Sequence, residues 1–243
     1  MRVVLVGAGL EENLSMGYLV PPLLARGHEV EVKRFDAPGE QLRLVDELAA
    51  VPPDVIGMSV AFQHRLREFR DLSHTIRTAG LDSVIVWGGH IPTARSGQIL
   101  EQYPEVDIIV RHDGEETLAD LVDALAQYPL GEGRPGREIH GELLDILKDT
   151  TGLAFRLPGG RSGATPSRPA VKKLDDLEFP WREDRPSIHA GLGFSPILGS
   201  RGCWGGCTYC SIQTYHRGRR GPRVRLRDPQ HIAEEIAELY HSG

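Results

Sequence analysis

Ser83-Val84-Ile85-Val86-Trp87-Gly88-Gly89-His90-Ile91-Pro92-Thr93 passes from a short apolar, β-branched run through paired glycines into a stretch of helical spacing. Strand, glycine turn and helix in that order are the half-unit of a parallel sheet. The pattern recurs on both sides, with strands expected at Arg2 to Val6, Glu29 to Phe35, Val55 to Val60, Ser83 to Trp87 and Asp107 to Val110. Helical spacing fills the intervals at Leu14 to Arg26, Gln41 to Ala50, Arg65 to Ala79 and Thr93 to Tyr103, with a fifth helix from Glu115 to Gln127. The expectation is a doubly wound α/β domain with five parallel strands over residues 1–130. Gly27 sits where a left-handed cap ends the first helix, and Pro52-Pro53 stops the second. Pro21-Pro22 predicts that the first helix is kinked or starts late, because an interior proline costs about 3 kcal/mol.

In such sheets, ligands bind beyond the carboxyl ends of the strands, where strand order reverses. Three loops have the composition for that. Gly7-Ala8-Gly9-Leu10-Glu11-Glu12 begins like a dinucleotide fingerprint, but glutamate replaces the third glycine, which speaks against NAD or FAD. Met58-Ser59-Val60-Ala61-Phe62 puts a small hydroxyl after the third strand, and Gly88-Gly89 lets a bulky flat ligand approach the backbone after the fourth. Each loop, taken alone, is equally an ordinary tight turn.

Five strands with serine after the third and Gly-Gly after the fourth resemble the flavodoxin-like cobalamin-binding domain. The resemblance implies that the nucleotide tail of the corrin threads between sheet and helices past Ser59, Gly88 and Gly89. Many members carry Asp-x-His-x-x-Gly after the first strand, where the histidine binds cobalt. Here the stretch is Glu11-Glu12-Asn13-Leu14-Ser15-Met16-Gly17, with no histidine. His64, His90 and His112 lie near predicted strand ends as substitutes, against the plainer reading of polar loop residues. Asp113 and Glu116 have capping-box spacing, which explains that turn structurally. The family's Gly-Glu-x-Glu-like run at this place implies that Gly114 and Glu115 lie beside the cobalamin tail.

From residue 131 to about 190 the composition turns to Gly, Pro, Arg and Ser, with a short strand at Leu153 to Leu157 and a turn at Pro158-Gly159-Gly160. This segment is expected to be a linker with little core. A strand from Phe194 to Leu198 and a helix from Pro229 to Tyr240 then frame the cysteine loop Ser200-Arg201-Gly202-Cys203-Trp204-Gly205-Gly206-Cys207-Thr208-Tyr209-Cys210-Ser211. All 3 cysteines of the chain fall in this loop, and an odd, clustered set argues for a metal site over disulfides. Three thiolates on a glycine-rich loop hold three irons of a [4Fe-4S] cubane and leave the fourth iron open. The motif closely resembles that of radical SAM enzymes. It implies that S-adenosylmethionine chelates the open iron, that Tyr209 packs near its adenine, and that an electron from the cluster cleaves it to methionine and a 5'-deoxyadenosyl radical. The competing chemistry is a Cys3His zinc site of Cys203, Cys207, Cys210 and His216.

The net charge of -6 gives no general affinity for polyanions, but Arg217 to Arg227 hold six arginines in eleven residues. Their alternation at Arg223, Arg225 and Arg227 favours a structural or anion-contacting strand face over RNA binding. No apolar run reaches the roughly 18 residues of a membrane span, and a cytoplasmic protein is expected. The expected whole is a cobalamin-binding domain, a linker, and the first β/α unit of a radical SAM partial barrel over residues 191–243. About 50 residues from Phe194 onward fall short of a barrel of around 200 residues, so an N-terminal portion of a larger enzyme is expected. The resemblance implies methyl transfer to an unactivated centre of a small molecule, with a flavodoxin or ferredoxin as electron donor. The alternatives are a corrinoid- or cluster-carrying module without turnover of its own and a zinc-stabilised RNA-binding protein.

Overall fold

The Val- and Ile-rich runs become neighbouring strands of one sheet: β1 (Arg2–Gly7), β2 (Glu29–Arg34), β3 (Val55–Ser59), β4 (Val84–Gly88) and β5 (Ile108–Val110). They lie parallel in the order β2-β1-β3-β4-β5, which reverses between β1 and β3. The computed structural model describes residues 1–9, 12–128, 137–183, 187–210, 212, 215, 216 and 218–242, without the side chains of 189 and 242. Leu10 and Glu11 of the first glycine loop, Gly131 at the expected start of the linker, Ser211 and Arg217 lie outside these residues.

The helices are α1 (Leu14–Gly17), α2 (Val20–Ala25), α3 (Gln41–Ala50), α4 (Leu66–Thr78), α5 (His90–Ala94), α6 (Ser96–Gln102), α7 (Glu115–Gln127) and α8 (Gly141–Asp149). Strand alternation sorts the core into two layers. Val3, Leu5, Val55, Val86 and Val110 pack against Val20 and Leu23 of α2 and Leu118, Leu121 and Val122 of α7. Val4, Val6, Ile56, Ile85 and Trp87 pack against α3, α4 and α6. Trp87 is fully buried, and its indole N–H donates to Ser73 Oγ at 3.1 Å, which removes the cost of an unpaired donor. The first helix starts again at the prolines, which occupy the opening turn of α2, where their missing N–H groups cost nothing. The single helix expected from Thr93 to Tyr103 is instead α5 and α6, broken at Arg95.

The expected linker is a correction. After residue 136 the chain forms α8, then β6 (Leu153–Arg156) and β7 (Ser162–Ala164), which extend the sheet antiparallel beyond β5. Ile139, Leu143, Leu147, Leu153 and Phe155 are buried in the first core layer. The Gly- and Pro-rich composition belongs to turns: Gly159 and Gly160 take φ of 84° and 75° in the β6–β7 hairpin, a region where only glycine is unstrained. Replacing Phe155, 2% exposed, by alanine is expected to lower unfolding free energy by about 3 to 5 kcal/mol in a denaturant titration. A change below about 1 kcal/mol would restore the linker reading.

Beyond residue 186 come a hairpin, β8 (Ser187–His189) and β9 (Leu192–Phe194), and an antiparallel ribbon of β10 (Ser200–Gly202) with β11 (Val224–Leu226), followed by α9 (Pro229–Ser242). The strand expected from Phe194 to Leu198 is therefore corrected. Pro196 interrupts the run and lacks a ladder donor, and pairing resumes only at Ser200. A strap at residues 180–183 holds this part against the sheet. Trp181 N–H donates to the Gly17 carbonyl at 3.0 Å, and Arg182 bridges Glu12, beyond β1, to Glu235 of α9.

Candidate functional site

A cavity of about 280 Å³ opens where the parallel strands end, on the face covered by α1, α2 and α7. Its floor follows from the register. Ser59 pairs with Gly88, and Gly88 with Val110, so these positions share a face. Gly57, paired with Leu5 and Val86, shares it one step earlier. Two glycines and a serine hollow that face at its carboxyl end, while Leu5, Val86, Leu19, Met16 and Leu118 keep the depth apolar. Ser59 Oγ lies 3.2 Å from Ser15 Oγ at the rim. Gly89 caps α5 with φ of 110°, and a Cβ there would stand 2.9 Å from the Val60 carbonyl oxygen. Ser59, Gly88, Gly89, Gly114 and Glu115 all line this one cavity.

The opposite wall is built by Leu198, Arg201 and Gly202 from the cysteine part of the chain, with Tyr215 and His216 beyond it. Arg201 spans the two halves. Its guanidinium lies 2.6 Å from Glu115 and 3.5 Å from Asp113, with its centre 5.0 Å above the Tyr18 ring. Asp113 also receives Arg219 at 2.5 Å and Arg225 at 2.8 Å. Burial by itself would raise the Asp113 carboxyl, but Arg219, Arg201 and Arg225 outweigh it and hold it at about 2. The expected capping box is thus a correction: Gly114 is the N-cap of α7, without a side-chain cap, and Asp113 is spent on the three arginines. One oxygen of Glu115, Oε2, is buried without a hydrogen-bond partner among the described residues. It is an acceptor on the cavity wall waiting for a donor.

Of the basic run, Arg225 and Arg227 are 3% and 5% exposed and face inward, Arg225 onto Asp113 and Arg227 onto Glu235. Sequence reasoning missed Arg201, Asp113 and Tyr215. The position of Arg201 two residues before Cys203 was the available signal.

Cys203, Cys207 and Cys210 are free thiols, the first two exposed. Gly205 N–H donates to Cys203 Sγ at 3.3 Å, and a Cβ on Gly205 would stand 3.4 Å from Cys203 Sγ and 3.6 Å from Cys207 Sγ. These are ordinary contacts, and the fit to an iron–sulfur cluster rests on the donor set, three thiolates on one short loop. Among the described residues no three Cys, His, Asp or Glu side chains are gathered into a metal-ligand group, His216 with the thiols included. His216 stands at the cavity with Nδ1 3.1 Å from the Arg219 guanidinium. Burial first, then Arg219, lowers its pKa to about 4. Tyr209 and Trp204 are exposed on the outside of the loop, and neither lines the cavity.

Residues 3–122 match the profile of the B12-binding domain. This part of the chain is a B12-binding domain. Along its whole length it has the fold of the cobalamin-dependent S-adenosylmethionine radical enzyme OxsB, with a TM-score of 0.67 and 21% identity over 100% of this chain and 32% of that one. It is 31% identical over 229 residues to an anaerobic magnesium-protoporphyrin IX monomethyl ester cyclase of Synechocystis, covering 91% of this chain and 41% of the relative. It is 26% identical over 232 residues to the protein of the same name in Rubrivivax gelatinosus, covering 92% and 38%. An uncharacterised methyltransferase of Pyrococcus horikoshii is 26% identical over 256 residues, covering 99% and 51%. The chain therefore spans about half or less of the length of these relatives. The B12-binding domain accounts for the hollowed sheet face, and among the described residues no helix is long and apolar enough to cross a membrane.

Proposed function

We propose that this chain is the cofactor-binding portion of a cytoplasmic cobalamin-dependent radical SAM enzyme that transfers a methyl group to an unactivated carbon or phosphorus centre of a small molecule, with a flavodoxin or ferredoxin supplying electrons. One observation carries the reading: a single cavity has Ser59, Gly88 and Gly89 of the B12-binding domain on one wall and Arg201-Gly202, immediately before Cys203, on the other. When bound, the cofactors supply a transferable methyl group and a radical able to remove hydrogen from an unactivated position.

The chain's own residues do the rest. The apolar depth of the cavity, from Leu5 to Leu118, excludes water from the flat base of a nucleotide tail, while Ser59 and the Gly88-Gly89 backbone offer polar groups at its rim. Glu115 Oε2 accepts a hydrogen bond from a hydroxyl or amide of the same ligand. Cys203, Cys207 and Cys210 hold three irons, and the Gly205 N–H stabilises the Cys203 thiolate. Tyr209 keeps its ring exposed for the adenine of S-adenosylmethionine. The magnesium-protoporphyrin cyclase names of two relatives favour a second reading, radical ring closure without methyl transfer.

Anaerobic reconstitution is expected to give about four iron and four sulfide per chain, falling to background when any one of Cys203, Cys207 and Cys210 is replaced by alanine. Zinc near one per chain without sulfide would overturn the radical reading in favour of a Cys3His site. With reductant and S-adenosylmethionine, 5'-deoxyadenosine together with S-adenosylhomocysteine is expected. 5'-Deoxyadenosine alone would favour ring closure, and neither product from an intact cluster would leave a corrinoid-carrying module.

A further inference from the structure

We propose that Arg225 anchors a binding site for a small oxyanion of the phosphate, sulfate or carboxylate class, between the β10–β11 ribbon and the start of α7. The site is separate from the cobalamin and cluster readings above, and its test needs no iron.

Charge counting singles out this part of the molecule. Arg201 and Arg225 stand directly opposite one another in the β10–β11 pairing, where like charges repel. Arg219 joins them on Asp113, and Glu115 is the second carboxylate of the group. These five side chains are 1% to 14% exposed, so three positive charges meet two negative ones away from water. The adjoining Tyr215, His112 and His216 bring no negative charge at neutral pH. A buried charge left over in this way is costly unless a counter-ion joins it.

Hydrogen bonding fixes where the counter-ion sits. Arg225 Nη1 donates to Asp113 at 2.8 Å and to the Val171 carbonyl at 3.0 Å. Its Nε and Nη2 are buried and have no hydrogen-bond partner among the described residues. The N–H bonds of these two atoms point side by side, and they form the edge with which a guanidinium grips two oxygens of one carboxylate or phosphate. Other buried arginines have their donors or charges matched. Arg156 places Nε and Nη2 on the Leu100 carbonyl at 3.0 and 2.6 Å. Arg182 and Arg227 face Glu12 and Glu235, two charges against two. Arg225 alone among the described residues leaves both atoms of that edge unpaired. Two sources offer the matching chemistry: a free anion, or the phosphodiester of a nucleotide tail in the cavity that Arg201 lines.

The test is a calorimetric titration with inorganic phosphate, paired with melting curves, at an ionic strength held constant with sodium chloride. One phosphate per wild-type chain is expected, with a saturable rise in melting temperature of about 5 °C or more. Arg225→Lys keeps the charge but loses the paired N–H edge, and Arg225→Met loses both, so neither should bind phosphate. Arg225→Lys, which keeps a cation beside Asp113, carries the comparison if Arg225→Met does not fold. No phosphate on the wild-type chain overturns the proposal. An equal rise in melting temperature in wild type and Arg225→Lys marks a general salt effect and overturns it as well. Phosphate binding that is blocked by cobalamin but not by cobinamide, which has no nucleotide tail, assigns the edge to the tail's phosphodiester, and binding that neither blocks assigns it to a free anion.

Discussion

Replacing Gly202 by alanine is expected to open the β10–β11 ribbon and leave the chain unable to retain iron. Gly202 has φ of 108°, and a Cβ there would stand 1.9 Å from the Arg223 carbonyl oxygen. The left-handed backbone alone costs a side chain about 1 to 2 kcal/mol. The overlap is with backbone on the paired strand, so no rotamer change relieves it. Pairing of Gly202 with Val224 must be lost, and with it the anchor of Cys203. Iron and sulfide should drop to background after reconstitution, while the sheet of the B12-binding domain, which lies outside the ribbon, keeps its unfolding transition. Gly206→Ala is the control, because nothing lies within 4 Å of a Cβ there, and it should retain full iron. Full iron in Gly202→Ala would contradict this account of the loop.

Replacing Asp113 is expected to be the most damaging single loss of charge. Asp113 is the shared counter-ion of Arg201, Arg219 and Arg225, and each of these side chains is largely buried. Removing one partner of a buried ion pair typically costs about 3 to 5 kcal/mol, since the remaining charge is stranded. Asp113→Asn should therefore lower the melting temperature and weaken cluster retention, because Arg201 adjoins Gly202 and Cys203. The pH dependence has a definite sign. The folded carboxyl at about 2 lies below its ordinary 3.8, so the unfolded chain takes up the proton first as pH falls. Its stabilisation is complete above the ordinary value and fades as pH drops toward 2. In an acid titration of stability, wild type should lose about 2 kcal/mol more than Asp113→Asn over that range. Parallel curves would mean that the arginines do not depend on Asp113.

The parallel sheet was legible because its signals are local. Val3 to Val6, Val55 to Met58 and Val84 to Trp87 are short β-branched runs buried on both faces, and Ser59 and Gly88 stand at their ends, where the register later pairs them. The extension beyond β5 was legible only in part: the short strand at Leu153 to Leu157 is β6, while α8, β7 and the joining of these elements to the core were hidden. The strands have four and three residues and are flanked by turn glycines, so composition suggested a linker despite the apolar positions Leu153 and Phe155. Alternation at Arg223, Arg225 and Arg227 correctly marked a strand but gave no sign of which residues face inward. That depends on Asp113, 112 positions away from Arg225, and on Glu235 one helix later. Ion pairs at such separation leave no periodicity to read. The cysteine motif was legible in its ligand types and spacing, while the placement of Gly202 on the cavity wall required the fold.

Cobalamin is expected in the hollowed end of the sheet, beside the cysteine loop, and titration of the anaerobic chain and of Gly88→Val with cobalamin measures whether it binds there. Gly88 lines the cavity on the face of Ser59 and Val110, and a Cβ there meets only the Val110 carbonyl oxygen at 3.6 Å, an ordinary contact. Valine should fill the cavity and spare the backbone. One cobalamin per wild-type chain is expected, with binding weakened at least about tenfold in Gly88→Val, or about 1.4 kcal/mol, and an unchanged melting temperature. No cobalamin on the wild-type chain, or equal binding by the two proteins, would contradict it.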